Sequence, residues 1–281
     1  MKTILVTGAN GVLAKRFITA FNTEYRIVKG LRQPSQSDEI QVDSWKEIST
    51  SIEFDAVVHF AGKYLVEDSA KSVKIVHDAV VGTATAVVEF CKTNKTPLVA
   101  LGSYFEQAPK ELSPWSHYSI AKKSASKILE LASITHGIPI RYLYAYDTYG
   151  DDLTRGKIVD LLLDPTTQKI ELSPGEQKLN LTHEEDFVAA VKLSLDDLIV
   201  KRGHFKTNQI RNNNDEFTLR HIAEFINSKR TNQIDLRLAV KPYRKREVFD
   251  IWDCAPNVEG WIPKFLFEDF VVTKAGRADG S

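Results

Sequence analysis

At 281 residues the chain has room for one large α/β domain or two unequal ones. Its 37 basic and 37 acidic residues cancel, which excludes nucleic acid and membrane surfaces as partners drawn by overall charge. No apolar run approaches the roughly 18 residues that span a bilayer, no leading run resembles a signal peptide, and Cys91 and Cys254 form no metal or redox motif, so a cytoplasmic protein with two free thiols is expected.

The first predicted element is a short β-prone strand over 3–6. It runs into Gly8-Ala9-Asn10-Gly11-Val12-Leu13-Ala14, and a helical pattern follows over 11–21. Strand, glycine turn and helix in that order aim the amino end of a helix at a phosphate. Gly8 would turn the chain off the strand, Gly11 would let backbone approach a pyrophosphate, and Ala14 would let helix pack closely on strand. The spacing Gly-x-x-Gly-x-x-Ala is not the standard Gly-x-Gly-x-x-Gly fingerprint, and two glycines after a strand also serve as a plain tight turn.

A second strand is predicted over 25–32. An acidic residue at its end would bond an adenosine ribose hydroxyl; Lys29 and Arg32 stand there instead, and a cation suits a 2′-phosphate. A short strand over 40–43 puts Asp43 where an adenine-contacting residue would sit. The buried strand predicted over 54–62 ends on Phe60, Ala61 and Gly62, small enough at its tip for close approach of a cofactor; His59 reads as a satisfied core histidine. A helix over 69–92, a strand over 97–103 ending on Ser103, a helix over 115–136 and a strand over 138–146 follow. Strands alternating with helices predict a parallel sheet covered on both faces, a Rossmann-type doubly wound α/β fold. After Gly150 the rhythm breaks into a short helix over 158–163, a β piece over 169–172, a strand over 204–208 returning to the sheet, a helix over 217–230 and a strand over 234–240. The expected organisation is a dinucleotide-binding domain over 1–150 with a returning strand near 203–210, a smaller substrate lobe over 151–273, and a disordered tail over 274–281.

Tyr118-Ser119-Ile120-Ala121-Lys122 places a phenol and an ammonium four apart on one helix face. A phenol of pKa near 10 is a poor acid–base catalyst at neutral pH, and a lysine beside it should lower that pKa. Ser103, on the preceding strand end, would hydrogen-bond a substrate carbonyl. The order matters more than any one piece: glycine turn, serine at a strand end, then Tyr-x-x-x-Lys.

Thr7-Gly8-Ala9-Asn10-Gly11-Val12-Leu13-Ala14, His59-Phe60-Ala61-Gly62, Ser103, Tyr118 with Lys122, Tyr149-Gly150, Leu181-Thr182-His183-Glu184-Glu185-Asp186-Phe187 and Gly260-Trp261-Ile262-Pro263-Lys264 together resemble the extended short-chain dehydrogenase/reductases of the nucleotide-sugar epimerase/dehydratase kind. Leu101-Gly102-Ser103-Tyr104-Phe105 and the short length are most similar to the CDP-abequose and CDP-paratose synthase branch, whose members reduce a 4-keto-6-deoxy sugar nucleotide with NADPH. The resemblance implies that Gly8, Asn10, Gly11, Val12 and Leu13 line the pyrophosphate and that Arg32 meets the 2′-phosphate. Phe60, Ala61 and Gly62 would border the cofactor, with Asp43 near its adenine. It implies that Ser103 orients the carbonyl, that Tyr118 donates a proton to the sugar C4 oxygen, and that Lys122 tunes Tyr118 and holds the nicotinamide ribose. Lys157 and Arg244 fall where the family places cations near the substrate diphosphate. The implied cofactor is NADP(H), the substrate a nucleotide-sugar, and the assembly a homodimer packed through the helices near 69–92 and 115–136. Ala79, Asp147 and Leu179 depart from the family's Asn, Asn and Arg, which points to an atypical substrate. Two other readings stay open: an epimerase with tightly bound NAD, disfavoured by the basic end of strand two, and a non-catalytic dinucleotide sensor, which has no need of Ser103, Tyr118 and Lys122.

Overall fold

A computed structural model describes residues 1–33, 39–41, 52–65, 67 and 69–278. The chain divides into two interleaved compact units, residues 1–145, 188–210 and 253–261 in the first, and 146–187, 211–252 and 262 onward in the second.

The first unit opens with β1 (Lys2–Thr7), α1 (Val12–Phe21), β2 (Tyr25–Leu31) and β3 (Glu39–Gln41). It continues with β4 (Ala56–His59), α2 (Ala70–His77), a π-helical turn (Asp78–Gly82), α3 (Thr83–Asn94), β5 (Leu98–Ser103), α4 (His117–His136) and β6 (Ile140–Ala145). The second unit contributes β7 (Asp147–Tyr149), α5 (Ile158–Leu163), β8 (Lys169–Glu171) and β9 (Lys178–His183). Helix α6 (Glu184–Lys201) carries the chain back to the first unit, where β10 (Lys206–Ile210) follows; β11 (Glu216–Thr218), α7 (Leu219–Lys229), β12 (Asp235–Arg237) and α8 (Phe267–Ala278) belong to the second.

Seven strands of the first unit form one sheet in the order β10-β6-β5-β4-β1-β2-β3, every neighbouring pair parallel. The order explains the strand composition. β5 (LVALGS) is buried along its whole length and β1 over its last four residues, because helices cover both faces of a parallel sheet. Leu5, Val57, Leu98, Ala100, Ile140 and Tyr142 meet Val87, Cys91, Leu129 and Ala132 from the helices in one core. The chain leaves β1 toward β2 and β3, then returns to β4 on the other side. β1 and β4 therefore flank the switch point, where ligands bind at the carboxyl ends of open α/β sheets.

The helix predicted over 69–92 forms over 70–94 but is interrupted at 78–82. A π turn forms here with Ala79 where the resemblance leads one to expect asparagine. Thr83 Oγ1 donates to the Ala79 carbonyl at 2.8 Å and Thr85 Oγ1 to the Val81 carbonyl at 2.9 Å, so hydroxyls satisfy carbonyls that a wider turn displaces.

The second unit has its own core, in which Tyr149, Leu162, Leu181, Ile222, Ile226 and Phe267 are buried, with Leu179 packed against them. The departure at Leu179 is thus a core side chain. Asp186 Oδ2 accepts the amides of Lys264 and Phe265, both at 2.9 Å, so two of the motif segments are tied to each other.

Three expectations are corrected here. The expected returning strand forms as β10 at the sheet edge beside β6, with Asn208 opposite Leu143, but residues 188–202 and 253–261 also join the first unit rather than a lobe over 151–273. Residues 274–278 are not a disordered tail but the last turn of α8, which Phe267 and Val271 anchor in the core; 279–281 lie outside the described residues. Among the described residues the alternating run at 234–240 forms a ladder over Asp235–Arg237 alone, opposite β8, which is equally short.

Candidate active site

At the end of β1 the chain turns on Gly8, whose φ is +69°. A Cβ there would stand 2.6 Å from the Ala61 nitrogen and 2.7 Å from its Cα. The ends of β1 and β4 are therefore in backbone contact, which only glycine allows. Gly11 has a different task. Its φ is −71°, its amide donates to the Gly8 carbonyl at 2.9 Å, and a Cβ would meet only that carbonyl, at 3.3 Å. No side chain caps α1, so its first amides and the positive end of its dipole face outward past exposed Asn10 and Gly11, with Val12 and Leu13 half-buried.

At the end of β2, Arg32 is exposed and pairs with no carboxylate among the described residues. Lys29 is different: Glu39, opposite it on β3, lies 3.9 Å away. Asp43 lies outside the described residues. His59 shares a 2.7 Å hydrogen bond with Thr7 Oγ1, and burial, helped by the Lys122 charge, pushes its pKa down to about 3. It is a neutral core histidine, as expected.

Ser103 closes β5 and is buried. Helix α4 begins at a capping box in which Ser116 and Ser119 each accept the other's amide, which sets the phase that puts Tyr118 and Lys122 on one face. Lys122 is 6% exposed; its Nζ donates to the Leu101 carbonyl on β5 at 2.6 Å and lies 5.9 Å from the centre of the Tyr118 ring. A Cβ on Gly62 would stand 3.6 Å from the same Nζ, so the segment after β4 passes directly over the ammonium. Tyr64, from that segment, packs edge-on to Tyr118 at 5.1 Å. Gly62, Ser103, Tyr118 and Lys122 thus converge at the carboxyl ends of β4 and β5, beside the glycine turn on β1.

Burial outweighs the neighbouring lysine in setting the electrostatics of Tyr118. Burial, then the charge of Glu106 and the neighbouring Tyr64, hold the Tyr118 hydroxyl above the ordinary phenol range. Burial also lowers the Lys122 ammonium, opposed by Glu106. The lysine donates to the Leu101 carbonyl and also lies over the Tyr118 ring, and Tyr118 is a phenol with a proton to give. Glu106 was absent from the sequence reading, although Ser103-Tyr104-Phe105-Glu106 has the Ser-x-x-Glu signature of a capping box, which the structure forms.

Lys157 and Arg244 belong to the second unit. Lys157 precedes α5 and lies 3.9 Å from Asp147, while Arg155 bonds Thr148 and Asp160 at 3.0 Å each. Arg244 is exposed in a basic loop.

The model of the NAD dependent epimerase/dehydratase family matches residues 4–206. CDP-abequose synthase of Yersinia pseudotuberculosis is 26% identical over 264 residues, 87% of this chain and 90% of that protein. UDP-N-acetylglucosamine 4-epimerase from Bacillus cereus superposes with a TM-score of 0.74 at 16% identity, with all of both chains covered. dTDP-glucose 4,6-dehydratase from Bacillus anthracis, solved with NAD, gives 0.75 at 19% identity over 100% of this chain and 97% of that one. MoeE5, solved with UDP-glucose and NAD, gives 0.80 at 16% identity over 99% of this chain and 100% of that one. At these identities the superpositions establish the fold, and the family match establishes the class. With a glycine turn at the switch point and Ser103, Tyr118 and Lys122 gathered beside it, the chain is an enzyme and belongs to the NAD-dependent epimerase/dehydratase family.

Proposed function

We propose that this enzyme reduces the 4-keto group of a nucleotide-linked deoxysugar with NADPH. The observation that carries the reading is geometric: the Tyr118 phenol, half-buried with its proton in place, shares a helix face with Lys122 beside the strand end that presents Ser103. A reductase needs that proton at the start of the reaction. Likeness to a CDP-abequose synthase over 87% of the chain supports the substrate class.

The residues fit a nicotinamide dinucleotide. The open approach at Gly11 and the uncapped start of α1 suit a pyrophosphate, Val12 and Leu13 offer first-turn amides, and Asn10 flanks them. Arg32 suits a 2′-phosphate, and Phe60, Ala61 and Gly62 suit the nicotinamide half. The bound cofactor supplies the hydride. Ser103 holds the substrate carbonyl by a hydrogen bond, Tyr118 passes its proton to the C4 oxygen as negative charge builds there, and Lys122 stabilises the phenolate left behind. In this reading the first unit binds the cofactor and the second, with Lys157 and Arg244, holds the diphosphate of the substrate. Ile120, Leu131 and Ile134, exposed on α4 at 49%, 60% and 72%, and the exposed Val73 and Ile75 on α2 support a homodimer joined through these two helices.

Absorbance at 340 nm with a panel of nucleotide 4-keto-6-deoxysugars tests the reading. NADPH is consumed by the wild type and spared by Tyr118→Phe. Interconversion of sugars with no net loss of reduced cofactor would make the enzyme an epimerase, and cofactor binding with no turnover of any sugar would make it a sensor.

A further inference from the structure

Beneath Ser103 lies a polar cluster that the mechanism above leaves unused. Glu106, in the turn after β5, is 2% exposed. Its Oε1 accepts the Ser103 amide at 2.6 Å, and its two oxygens lie 2.8 and 3.0 Å from the Tyr142 hydroxyl. That hydroxyl is also 3.3 Å from the Lys122 carbonyl. Space for the carboxylate exists because residue 102 is glycine: a Cβ there would stand 2.7 Å from Glu106 Oε1 and overlap the Tyr142 ring. Carboxylates are rarely buried so deeply unless charge or hydrogen bonds hold them. The titratable groups facing it are Tyr118, Lys122 and Lys123 from α4, and Tyr142 and Tyr144 from β6.

Resting on the reductase reading, we propose that Glu106 is a positioning residue: it fixes Ser103 through the backbone amide and supplies the negative charge that keeps Lys122 an ammonium and Tyr118 a phenol, so that the site is set to give a proton rather than take one. A negative charge near a phenol disfavours the phenolate, and near a lysine it favours the ammonium. Glu106 raises both Tyr118 and Lys122, in agreement with that geometry. Its own carboxyl is pushed up to about 7 by burial, against the pull of Lys122, the Ser103 amide and Tyr142. The charge at this position is therefore sensitive to pH in the working range. A residue that only caps the turn would need no charge, since glutamine serves equally well in a capping box.

Glu106→Gln separates the two roles. In protein labelled with carbon-13 at the glutamate carboxyls, one resonance should titrate well above the ordinary glutamate range, vanish in Glu106→Gln, and move higher still in Lys122→Met. A Glu106 resonance that titrates with the surface glutamates, or ignores Lys122→Met, overturns the proposal. In turnover, Glu106→Gln should move the alkaline limb of kcat for NADPH oxidation down by about one pH unit, tenfold in the Tyr118 ionisation, with the KM for NADPH unchanged. An unmoved limb in a folded variant also overturns it. Should the wild type turn over no keto sugar, the reductase reading fails while the resonance arm still decides the coupling of Glu106 to Lys122. Should Glu106→Gln not fold, Tyr142→Phe replaces it: with one donor gone, the Glu106 resonance must titrate higher, and an unchanged titration counts against the proposal.

Discussion

Gly8 and Gly11 belong to one motif, yet they should fail in different ways when replaced by alanine. Gly8 has a φ of +69°, and its Cβ would lie 2.6 Å from the backbone nitrogen of Ala61. A non-glycine residue in the left-handed region costs about 1–2 kcal/mol. Forcing a methyl against backbone in a packed core adds about 1–3 kcal/mol, because the obstacle is main chain and has no rotamer to yield. The sum is about 2–5 kcal/mol, equivalent to a fall in Tm of roughly 3–8 °C for a chain of this size. Gly11 already has an extended φ of −71°, and its Cβ would meet only the Gly8 carbonyl at 3.3 Å. Gly11→Ala should cost about 1 kcal/mol or less, near the lower end of the difference between helix-capping residues. It should nonetheless weaken NADPH binding at least tenfold, since the methyl occupies the approach of the pyrophosphate. Thermal melting by circular dichroism and quenching of intrinsic fluorescence by NADPH measure both quantities on the same samples. A Gly8→Ala protein melting within about 2 °C of wild type, or a Gly11→Ala protein binding NADPH normally, would refute the division of labour.

Arg32→Ala should reduce NADPH affinity by about 10- to 100-fold, the loss of one charge-assisted phosphate contact, and leave NADH affinity unchanged; equal losses for both would remove Arg32 from the 2′-phosphate site. His59 refuses a proton until about pH 3 when folded, whereas the unfolded chain takes one up near 6.5, so its contribution to stability is full above pH 6.5 and is lost as pH falls toward 3, by up to about 4–5 kcal/mol. Glu106 acts in the opposite sense: its folded pKa of about 7 lies above the unfolded value, so it favours the fold at low pH and loses that contribution as pH rises through 7. His59→Asn should therefore flatten the acid side of a plot of urea midpoint against pH, and an unchanged slope would place the titration elsewhere. Asp186→Ala strands the amides of Lys264 and Phe265 and should cost about 2–4 kcal/mol in urea unfolding, with Asp186→Asn retaining part of it; a loss below 1 kcal/mol would show those bonds are replaced by water.

Local pattern was enough to read the sheet, the glycine turn and the Tyr-x-x-x-Lys face, because each depends on residues within a few positions of one another. Alternating apolar runs and helical stripes require a covered parallel sheet whatever the distant contacts are. Helix α6 escaped that reading: Phe187, Val188, Ala190, Val191, Leu195 and Leu198 are all buried, so no clean polar face marks it as amphipathic. What tertiary structure alone decided are relations between residues far apart in the chain. Ala61 gives Gly8 its necessity from fifty-three residues away, Glu39 stands beside Lys29 from the neighbouring strand, and the Leu101 carbonyl holds the Lys122 ammonium that lies over the Tyr118 ring. Glu106 shows the difference most directly. Its capping position is written in the spacing from Ser103, but its charge acquires meaning only from burial against Lys122 and Tyr142, since the cost and reach of a charge are set by what surrounds it in three dimensions.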